Sequence, residues 1–386
     1  MNKAVGTAIK VTARQNGDMP FCRDPKKSYT MPARFYTDVS VYDLEKDNVF
    51  FRSWWYAGHV SQLKSPGQYI TTRIHDQSVF VIRSRSGELN AFYNVCLHRG
   101  HELLTGNGRT NVVVCPYHAW AYDFDGALRS ARNSENVSDF EKDDFTLKRV
   151  QVEVFCGMVF INLNDDAEPL HIQSGNLESE IRSYCPTVDD LVFAQRDPYE
   201  VPCNWKVMVD NFLECYHCHV AHHDFVDLVD MDSYRTEVKG IYSAQVSDAP
   251  KSLDNNAFKF EKGDVDFGYA GWFLWPNLTI WIYPGEANMS ILQMIPDGPE
   301  GTIEYQDWFI PTETPSAQLK DAMDYQREVL QPEDISLCES VQRGLNSKAY
   351  NQGRFMVDEG MTELSEHAVH HFQRMIVEAI GAEISD

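Results

Sequence analysis

The sequence predicts an α+β protein: a small antiparallel β module followed by a larger segment that mixes helices with strands. Three observations carry this expectation. From about Phe50 to Asp165, short runs rich in β-branched and aromatic residues are separated by turn dipeptides, the pattern of hairpin-connected strands. After Asp165 the pattern changes, and helical periodicity alternates with apolar strand-like runs. The 386 residues suffice for one large or two ordinary domains with real cores.

Along the chain, a helix is expected around Asp43 to Trp54, within the Phe35 to Trp55 segment. Strands are expected at Gln68 to Ile74, Val79 to Arg83, Ala91 to Val95, Val112 to Cys115 and Val159 to Leu163. Ser86-Gly87 and Asp125-Gly126 supply the hairpin turns between them. In the second part, helices are expected over Leu177 to Ser183, Trp205 to Tyr216, Ala317 to Val329 and Ser365 to Ile380. Strands are expected at Ala244 to Val246, Gly271 to Tyr283, Ser290 to Ile295 and Ile303 to Ile310. No internal repeat is evident.

Composition narrows the function. A formal charge of −23 argues against nucleic acid, whose phosphates must be met by Lys and Arg. The same acidity favours a cationic ligand by long-range steering, although most of these carboxylates are expected to be solvated surface. Met1 to Pro20 lacks the apolar core of a secretory signal. No run reaches the roughly 18 apolar residues of a membrane span, so the cytoplasm is the expected location. Of nine cysteines, Cys22, Cys156, Cys185, Cys203, Cys215, Cys218 and Cys338 show no disulfide framework and are expected to be buried thiols.

Cys96-Leu97-His98 and Cys115-Pro116-Tyr117-His118 offer two thiolates and two imidazoles from two short loops. A Rieske-type 2Fe-2S cluster requires that set, with two Cys on one iron and two His on the other. A tetrahedral zinc site could use the same residues. C-x-H is tight for a zinc knuckle, however, and Arg99-Gly100 and Pro116-Tyr117 form turns whose N–H groups can bond cluster sulfurs. Cys96, His98, Cys115 and His118 are therefore the expected cluster ligands.

The segment from Asn204 to His222 is a second dense constellation. On a continuous helix, Asp210, Glu214 and His217 fall on one face. His222 follows His217 by five and would point away unless the helix widens or ends near Ala221, an irregularity common at functional sites. Cys215-Tyr216-His217-Cys218-His219 also matches the C-x-x-C-H haem-attachment word. A purely structural helix with buried cysteines is the remaining alternative.

The words Tyr93-Asn94-Val95-Cys96-Leu97-His98-Arg99-Gly100-His101 and Cys115-Pro116-Tyr117-His118-Ala119-Trp120 resemble the Rieske non-haem iron oxygenases, with Ala119 where that family usually has Gly. The positions of the extra disulfide in respiratory Rieske proteins hold His101 and Tyr117, which argues against an electron-transfer subunit of that kind. The resemblance implies a helix-grip catalytic domain, a curved antiparallel sheet wrapped on a helix. It also implies a mononuclear Fe(II) held by His217, His222 and one distant carboxylate, leaving positions open for dioxygen and substrate. Resemblance selects Asp334, with Glu339 as its usual companion; spacing alone does not separate Asp334 from Glu333. Glu214 matches the carboxylate that bridges a cluster His, here His98 or His118 of a neighbouring subunit, to an iron His in a homotrimer. It can equally fix the tautomer of His217. The expected division is 1–49 as a segment packing on the catalytic domain, 50–165 as the cluster domain and 166–386 as the catalytic iron domain.

Within that family, His98-Arg99-Gly100-His101-Glu102-Leu103-Leu104, Cys115-Pro116-Tyr117-His118-Ala119-Trp120, Asp210-Asn211-Phe212-Leu213-Glu214-Cys215-Tyr216-His217-Cys218 and Glu339-Ser340-Val341-Gln342-Arg343-Gly344-Leu345 are similar to the carnitine and related quaternary-ammonium monooxygenases. The implied activity is hydroxylation beside a methylated nitrogen, leading to C–N cleavage. Electrons come from a separate NAD(P)H reductase carrying flavin and a ferredoxin-type cluster, since no G-x-G-x-x-G fingerprint follows a strand here. A trimethylammonium group donates no hydrogen bond and is best held by aromatic faces. Phe267, Tyr269, Trp272, Phe273, Trp275, Trp281 and Tyr283 form an aromatic-rich region able to offer them. The rival readings are an aromatic-ring dioxygenase with the same metals and a non-catalytic Rieske electron carrier.

Overall fold

A computed structural model describes residues 13–15, 17–250, 255–261, 265 and 268–386. The chain forms two compact units, one of Phe50–Ile172 and one combining Met1–Val49 with Gln173–Asp386.

The Phe50–Ile172 unit is antiparallel throughout. Its ten strands are β1 (Trp55–His59), β2 (Gln68–Ile74), β3 (Gln77–Arg83), β4 (Leu89–Tyr93), β5 (Asn107–Arg109), β6 (Val113–Val114), β7 (Ala121–Tyr122), β8 (Leu128–Ser130), β9 (Arg149–Phe155) and β10 (Met158–Asn162). Seven form a sheet in the order β1-β10-β9-β4-β3-β2-β5, and β6-β7-β8 form a small second sheet. Both expected turns are present, at Gly87 between β3 and β4 and at Gly126 between β7 and β8. Gly126 has φ +91°, and a Cβ there would meet the Phe92 ring at 2.5 Å, so backbone conformation and packing both call for glycine. Phe80, Ile82, Phe92, Val113, Tyr122, Phe124, Leu128 and Leu147 form the core, and Cys96 and Cys115 are buried at its edge.

The other unit is built on a seven-stranded antiparallel sheet in the order β11-β17-β16-β15-β14-β13-β12. The strands are β11 (Val192–Val201), β12 (Arg235–Lys239), β13 (Tyr242–Val246), β14 (Ala270–Leu274), β15 (Leu278–Ile282), β16 (Met289–Pro296) and β17 (Thr302–Ile310). The expected strand over Gly271 to Tyr283 is a hairpin instead, because Pro276 cannot donate to a ladder and marks the turn between β14 and β15. β11 was not foreseen. It tolerates Pro198 because it is an edge strand, paired only with β17.

Helix α1 (Val39–Asn48) begins earlier than expected, since the Asp38 carboxylate caps it by accepting from Ser40 N at 2.8 Å. Helix α2 spans Leu177–Tyr184 and α3 spans Trp205–Phe212. The expected helix over Ala317 to Val329 is α4 (Ala317–Tyr325) and a π-helical turn at Gln326–Leu330, and a further helix that was not foreseen, α5 (Gln331–Leu345), continues from it. Pro332 explains the break, because it lacks the N–H that an uninterrupted helix needs and is tolerated in a first turn. The terminal helix α6 (His367–Ala379) is the one the sheet grips. Its Phe372 packs edge-on against Trp205 of α3 and Phe273 of β14, with ring centroids 5.7 and 5.4 Å away.

The N-terminal segment is tied to α3 by buried polar pairs. Lys206 Nζ and Glu45 Oε1 lie 2.6 Å apart with both side chains fully buried, and Trp205 Nε1 donates to Glu45 Oε2 at 2.9 Å. Tyr36 donates to Asp210 Oδ2 at 2.6 Å, and Gln373 Nε2 donates to the same oxygen at 3.0 Å. Burial pushes the Asp210 carboxyl up to about 7 despite those two donors. Among the described residues no helix is long and apolar enough to cross a membrane.

Candidate metal centres

Two loops present the cluster residues, and they are closed in the same way. In the first, Cys96 N donates to His101 O at 2.8 Å and Gly100 N donates to Cys96 O at 2.9 Å. In the second, Cys115 N donates to Trp120 O at 2.8 Å and Ala119 N donates to Cys115 O at 3.0 Å. Each loop needs a left-handed residue four places after its cysteine: Gly100 has φ +74° and Ala119 has φ +59°. The departure at Ala119 thus falls on a position where glycine is the unstrained choice.

The cysteines face the core and the histidines face outward. Cys96 and Cys115 are 1 and 2 % exposed, whereas His98 is exposed and His118 half-buried. His98 stacks on Trp120 at 4.8 Å and meets the His118 ring edge-on at 4.6 Å. Tyr122 Oη lies 3.4 Å from Cys96 Sγ and accepts from Leu97 N at 3.1 Å. His118 Nδ1 is buried without a hydrogen-bond partner, which suits a nitrogen aimed at a metal. This donor set fits a 2Fe-2S cluster with a protected sulfur-ligated iron and an outer imidazole-ligated one.

The second constellation does not lie on one helix face. Helix α3 ends at Phe212, whose carbonyl accepts from Gln245 Nε2 of β13 at 2.6 Å. Glu214 and His217 therefore belong to a turn, while Asp210 stays on the helix bonded to Tyr36 and Gln373. A short helix, Cys218–Ala221, follows, and the chain breaks at His222 (φ −122°, ψ 64°). That break turns His222 back, so its Nε2 lies 3.1 Å from His217 Nε2. Asp334 on α5 completes the group, with Oδ1 2.9 Å from His222 Nε2 and 3.4 Å from His217 Nε2. Ligand atoms of His217, His222 and Asp334 all lie within 4.8 Å of one another.

The outward-facing imidazole nitrogens are occupied. His217 Nδ1 lies 2.5 Å from Glu214 Oε1, and His222 Nδ1 lies 2.7 Å from Glu333 Oε2. Each carboxylate holds a proton on Nδ1 and leaves Nε2 for a metal, the arrangement that orients histidine ligands. Glu333 and Asp334 thus address opposite sides of one ring, which spacing could not reveal. Glu339 is apart from this group and pairs loosely with Arg343 at 3.8 Å. Burial alone would lower the His217 pKa, but Asp334 and Glu214 outweigh it and push it up to about 10. Burial alone would raise the Asp334 carboxyl, but the two imidazoles hold it down at about 2. A centre this anionic fits a divalent cation in place of protons.

A pocket open to solvent adjoins these residues. Of the aromatics singled out in the sequence, Tyr269, Trp281 and Tyr283 line it. Trp272 points elsewhere, donating to Glu180 at 3.3 Å, because it alternates with Gly271 on β14. Trp275 sits in the β14–β15 turn, 6.0 Å from the Phe372 ring. Phe273 also packs on Phe372, and Phe267 lies outside the described residues. Phe212, Phe225, Tyr234 and Gln245 complete the wall without having been foreseen, since scattered aromatics carry no periodic signal. Gly271 makes room: a Cβ there would stand 2.6 Å from the Tyr269 hydroxyl.

The cysteine expectation needs one correction. Cys215 and Cys218 are joined as a disulfide, with Cα atoms 4.9 Å apart, while the other seven cysteines are buried and not disulfide-bonded. With both sulfurs so committed, C-x-x-C-H is not a haem-attachment site in this state.

Comparison with known proteins agrees with these centres. Residues 53–141 match the Rieske 2Fe-2S domain, and residues 188–382 match the ring hydroxylating alpha subunit catalytic domain. The chain belongs to the Rieske non-haem iron oxygenases, enzymes that pair a 2Fe-2S cluster with a mononuclear iron. It is 41 % identical to the carnitine monooxygenase oxygenase subunit of Escherichia coli (strain K12), over 93 % of this chain and 96 % of that protein. It is 31 % identical to the chloroplastic choline monooxygenase of Amaranthus tricolor, over 90 % of this chain and 78 % of the relative. The quaternary ammonium Rieske monooxygenase CntA in complex with L-carnitine superposes with a TM-score of 0.84 at 36 % identity, over 93 % of this chain and 97 % of that one. Naphthalene 1,2-dioxygenase from Rhodococcus sp., at 18 % identity and a TM-score of 0.79, shares the fold.

Proposed function

We propose that the protein is the oxygenase component of a monooxygenase acting on a small quaternary-ammonium compound of the carnitine or betaine type. The observation that carries this reading is the cavity beside His217, His222 and Asp334. Its wall offers Phe212, Phe225, Tyr234, Tyr269, Trp281 and Tyr283, and among its described residues it holds no Lys or Arg. Aromatic faces and carboxylates attract a trimethylammonium group that cannot hydrogen-bond. The homology to carnitine and choline monooxygenases supports the same substrate class.

In this reading, His217, His222 and Asp334 hold the mononuclear iron, and Cys96, His98, Cys115 and His118 hold the cluster. Residues 50–165 carry the cluster, residues 166–386 carry the iron, and 1–49 pack on the latter. When bound, iron supplies dioxygen activation. The aromatic wall orients the C–H bond beside nitrogen and excludes water, and hydroxylation there gives a carbinolamine that releases an amine and leaves a carbonyl. Glu214 fixes the His217 tautomer and bridges to His98 or His118 of a neighbouring subunit in a homotrimer. The structure of a quaternary ammonium Rieske monooxygenase, 36 % identical to this chain, reveals insights into inter-subunit electron transfer, which supports that role. Glu214 also borders a second, larger cavity lined by Tyr36, Leu337, Val341 and Tyr350. The protein is cytoplasmic, and its electrons come from a separate NAD(P)H reductase with flavin and a ferredoxin-type cluster.

The test is product analysis with carnitine, glycine betaine, choline, proline betaine and simple aromatic acids, using a generic reductase. A released methylamine or formaldehyde is expected. A cis-dihydrodiol from an aromatic substrate would replace this reading with a ring dioxygenase, and absence of mononuclear iron would reduce the protein to an electron carrier.

A further inference from the structure

The disulfide lies at a telling position. Helix α3 has ended by Phe212 and the next helix begins at Cys218, so His217 caps that short helix: its carbonyl accepts from Val220 N at 2.9 Å and Ala221 N at 3.0 Å, while its own N–H is held by the Glu214 side chain and by no helical carbonyl. Cys215 and Cys218 span this turn, and Cys218 N already donates to Cys215 O at 3.0 Å. The Cα separation of 4.9 Å falls within the normal disulfide range, so the bond closes on the turn without moving the backbone. Both residues are nearly inaccessible from outside, at 2 and 4 % exposure, yet both line the cavity that contains His217, His222 and Asp334. A small oxidant in that cavity reaches these sulfurs, whereas a large one in bulk solvent does not.

We propose that Cys215 and Cys218 are a reversible dithiol–disulfide couple that clamps the His217 turn, oxidised by hydrogen peroxide present in the adjoining cavity. Peroxide is what dioxygen becomes when it takes up two electrons and two protons without oxidising a substrate. One cysteine sulfur attacks a peroxide oxygen, so an S–O bond forms and the O–O bond breaks. The departing hydroxide takes the thiol proton as water. The second sulfur then displaces the hydroxyl group, forming S–S, breaking S–O and releasing a second water. Two electrons pass from the two sulfurs to the two peroxide oxygens, and a dithiol reductant reverses the change by exchange. In the oxidised state the turn is covalently closed and His217 is held toward His222 and Asp334. In the reduced state Glu214, the turn hydrogen bond from Cys218 N and the two bonds that the His217 carbonyl accepts from Val220 N and Ala221 N hold it, with no covalent link across the turn.

The experiment uses the holoenzyme in two portions, one treated with dithiothreitol and one then exposed to hydrogen peroxide, each denatured in iodoacetamide and digested. After dithiothreitol the peptide containing Cys215 and Cys218 should carry two alkyl groups. After peroxide it should carry none and be about 2 Da lighter than the free dithiol. Two alkyl groups after peroxide, or sulfinic acid in place of the disulfide, would overturn the couple. The clamp is read from the rate at which a chelator removes mononuclear iron, with cluster absorbance as the internal control. Reduced protein should release iron about 10-fold faster than oxidised protein, the order found when a ligand-orienting partner is lost. Cys215→Ser/Cys218→Ser should behave as the reduced form under both treatments. Equal release rates for oxidised and reduced wild-type protein would overturn the clamp. Only the release measurement rests on the iron assignment above; the thiol count stands without it, so the two failures are distinguishable.

Discussion

Glu333→Ala separates the two neighbouring carboxylates that spacing left equivalent. Glu333 Oε2 accepts from His222 Nδ1 at 2.7 Å, and its removal frees the ring to change tautomer and tilt. A charge-assisted hydrogen bond is worth about 1.5–3 kcal/mol, or about 10- to 150-fold in a dissociation constant. The Glu333 side chain is 38 % exposed, and water screens the pair, so the lower end, about 10- to 30-fold weaker iron binding, is expected. Glu333→Gln, which can still accept through its amide oxygen, should fall between the variant and wild type. Asp334→Ala should abolish mononuclear iron altogether. The assay is chelator competition for mononuclear iron, with the cluster's visible absorption confirming that the fold is intact. Wild-type affinity in Glu333→Ala would refute the orienting role. A loss as complete as in Asp334→Ala would show that Glu333 is itself a ligand.

Ala119→Gly should stabilise the cluster unit by up to about 1 kcal/mol, because left-handed backbone costs an L-residue about 1–2 kcal/mol and glycine gives part of that back in chain entropy; urea denaturation reads the change, and destabilisation would contradict it. Glu45→Ala leaves Lys206 buried without its partner and should cost about 3–5 kcal/mol, whereas Glu45→Leu/Lys206→Met should recover most of the loss; equal stability of the single and double variants would count against the argument. The iron-free protein should lose thermal stability as pH rises. The His217 imidazolium, held up to about 10 against an ordinary 6.5, stabilises the fold fully below pH 6.5, and that stabilisation disappears as pH passes through about 10. His217→Gln should lack this part of the profile, and identical profiles for the two proteins would refute the coupling.

The geometry of the two cluster loops was readable because it is written in contiguous words: four candidate ligands of two types, two turns and one departure at Ala119, each confined to a few residues. His217 and His222 were readable for the same reason, including the helix end near Ala221 that brings His222 back. What escaped was long-range. Nothing local says that Gln245 ends helix α3 at Phe212, so the sequence pattern extends that helix to Tyr216 and places Asp210 on a face it does not share with Glu214 and His217. The aromatic wall shows the same limit. Tyr269, Trp281 and Tyr283 face the cavity while Trp272 and Trp275 do not, and the difference depends on where Pro276 turns the hairpin and on strand alternation. The Cys215–Cys218 bond also needed three dimensions, because a separation of three residues is equally compatible with two thiols.

The widened turn at Gln326–Leu330 has a consequence for chain length. Asp334 sits four residues beyond it, so its direction depends on how many residues that turn contains. The wide turn takes up about one residue more than an α turn would, so straightening it to regular winding without shortening the chain would swing everything downstream by about 100° around the axis, carrying the carboxylate away from both imidazoles. A one-residue deletion absorbed by loss of the wide turn therefore keeps the direction of Asp334, whereas a substitution that straightens the turn at unchanged length does not, and any relative or designed hybrid with the same metal chemistry must match its residue count to its winding.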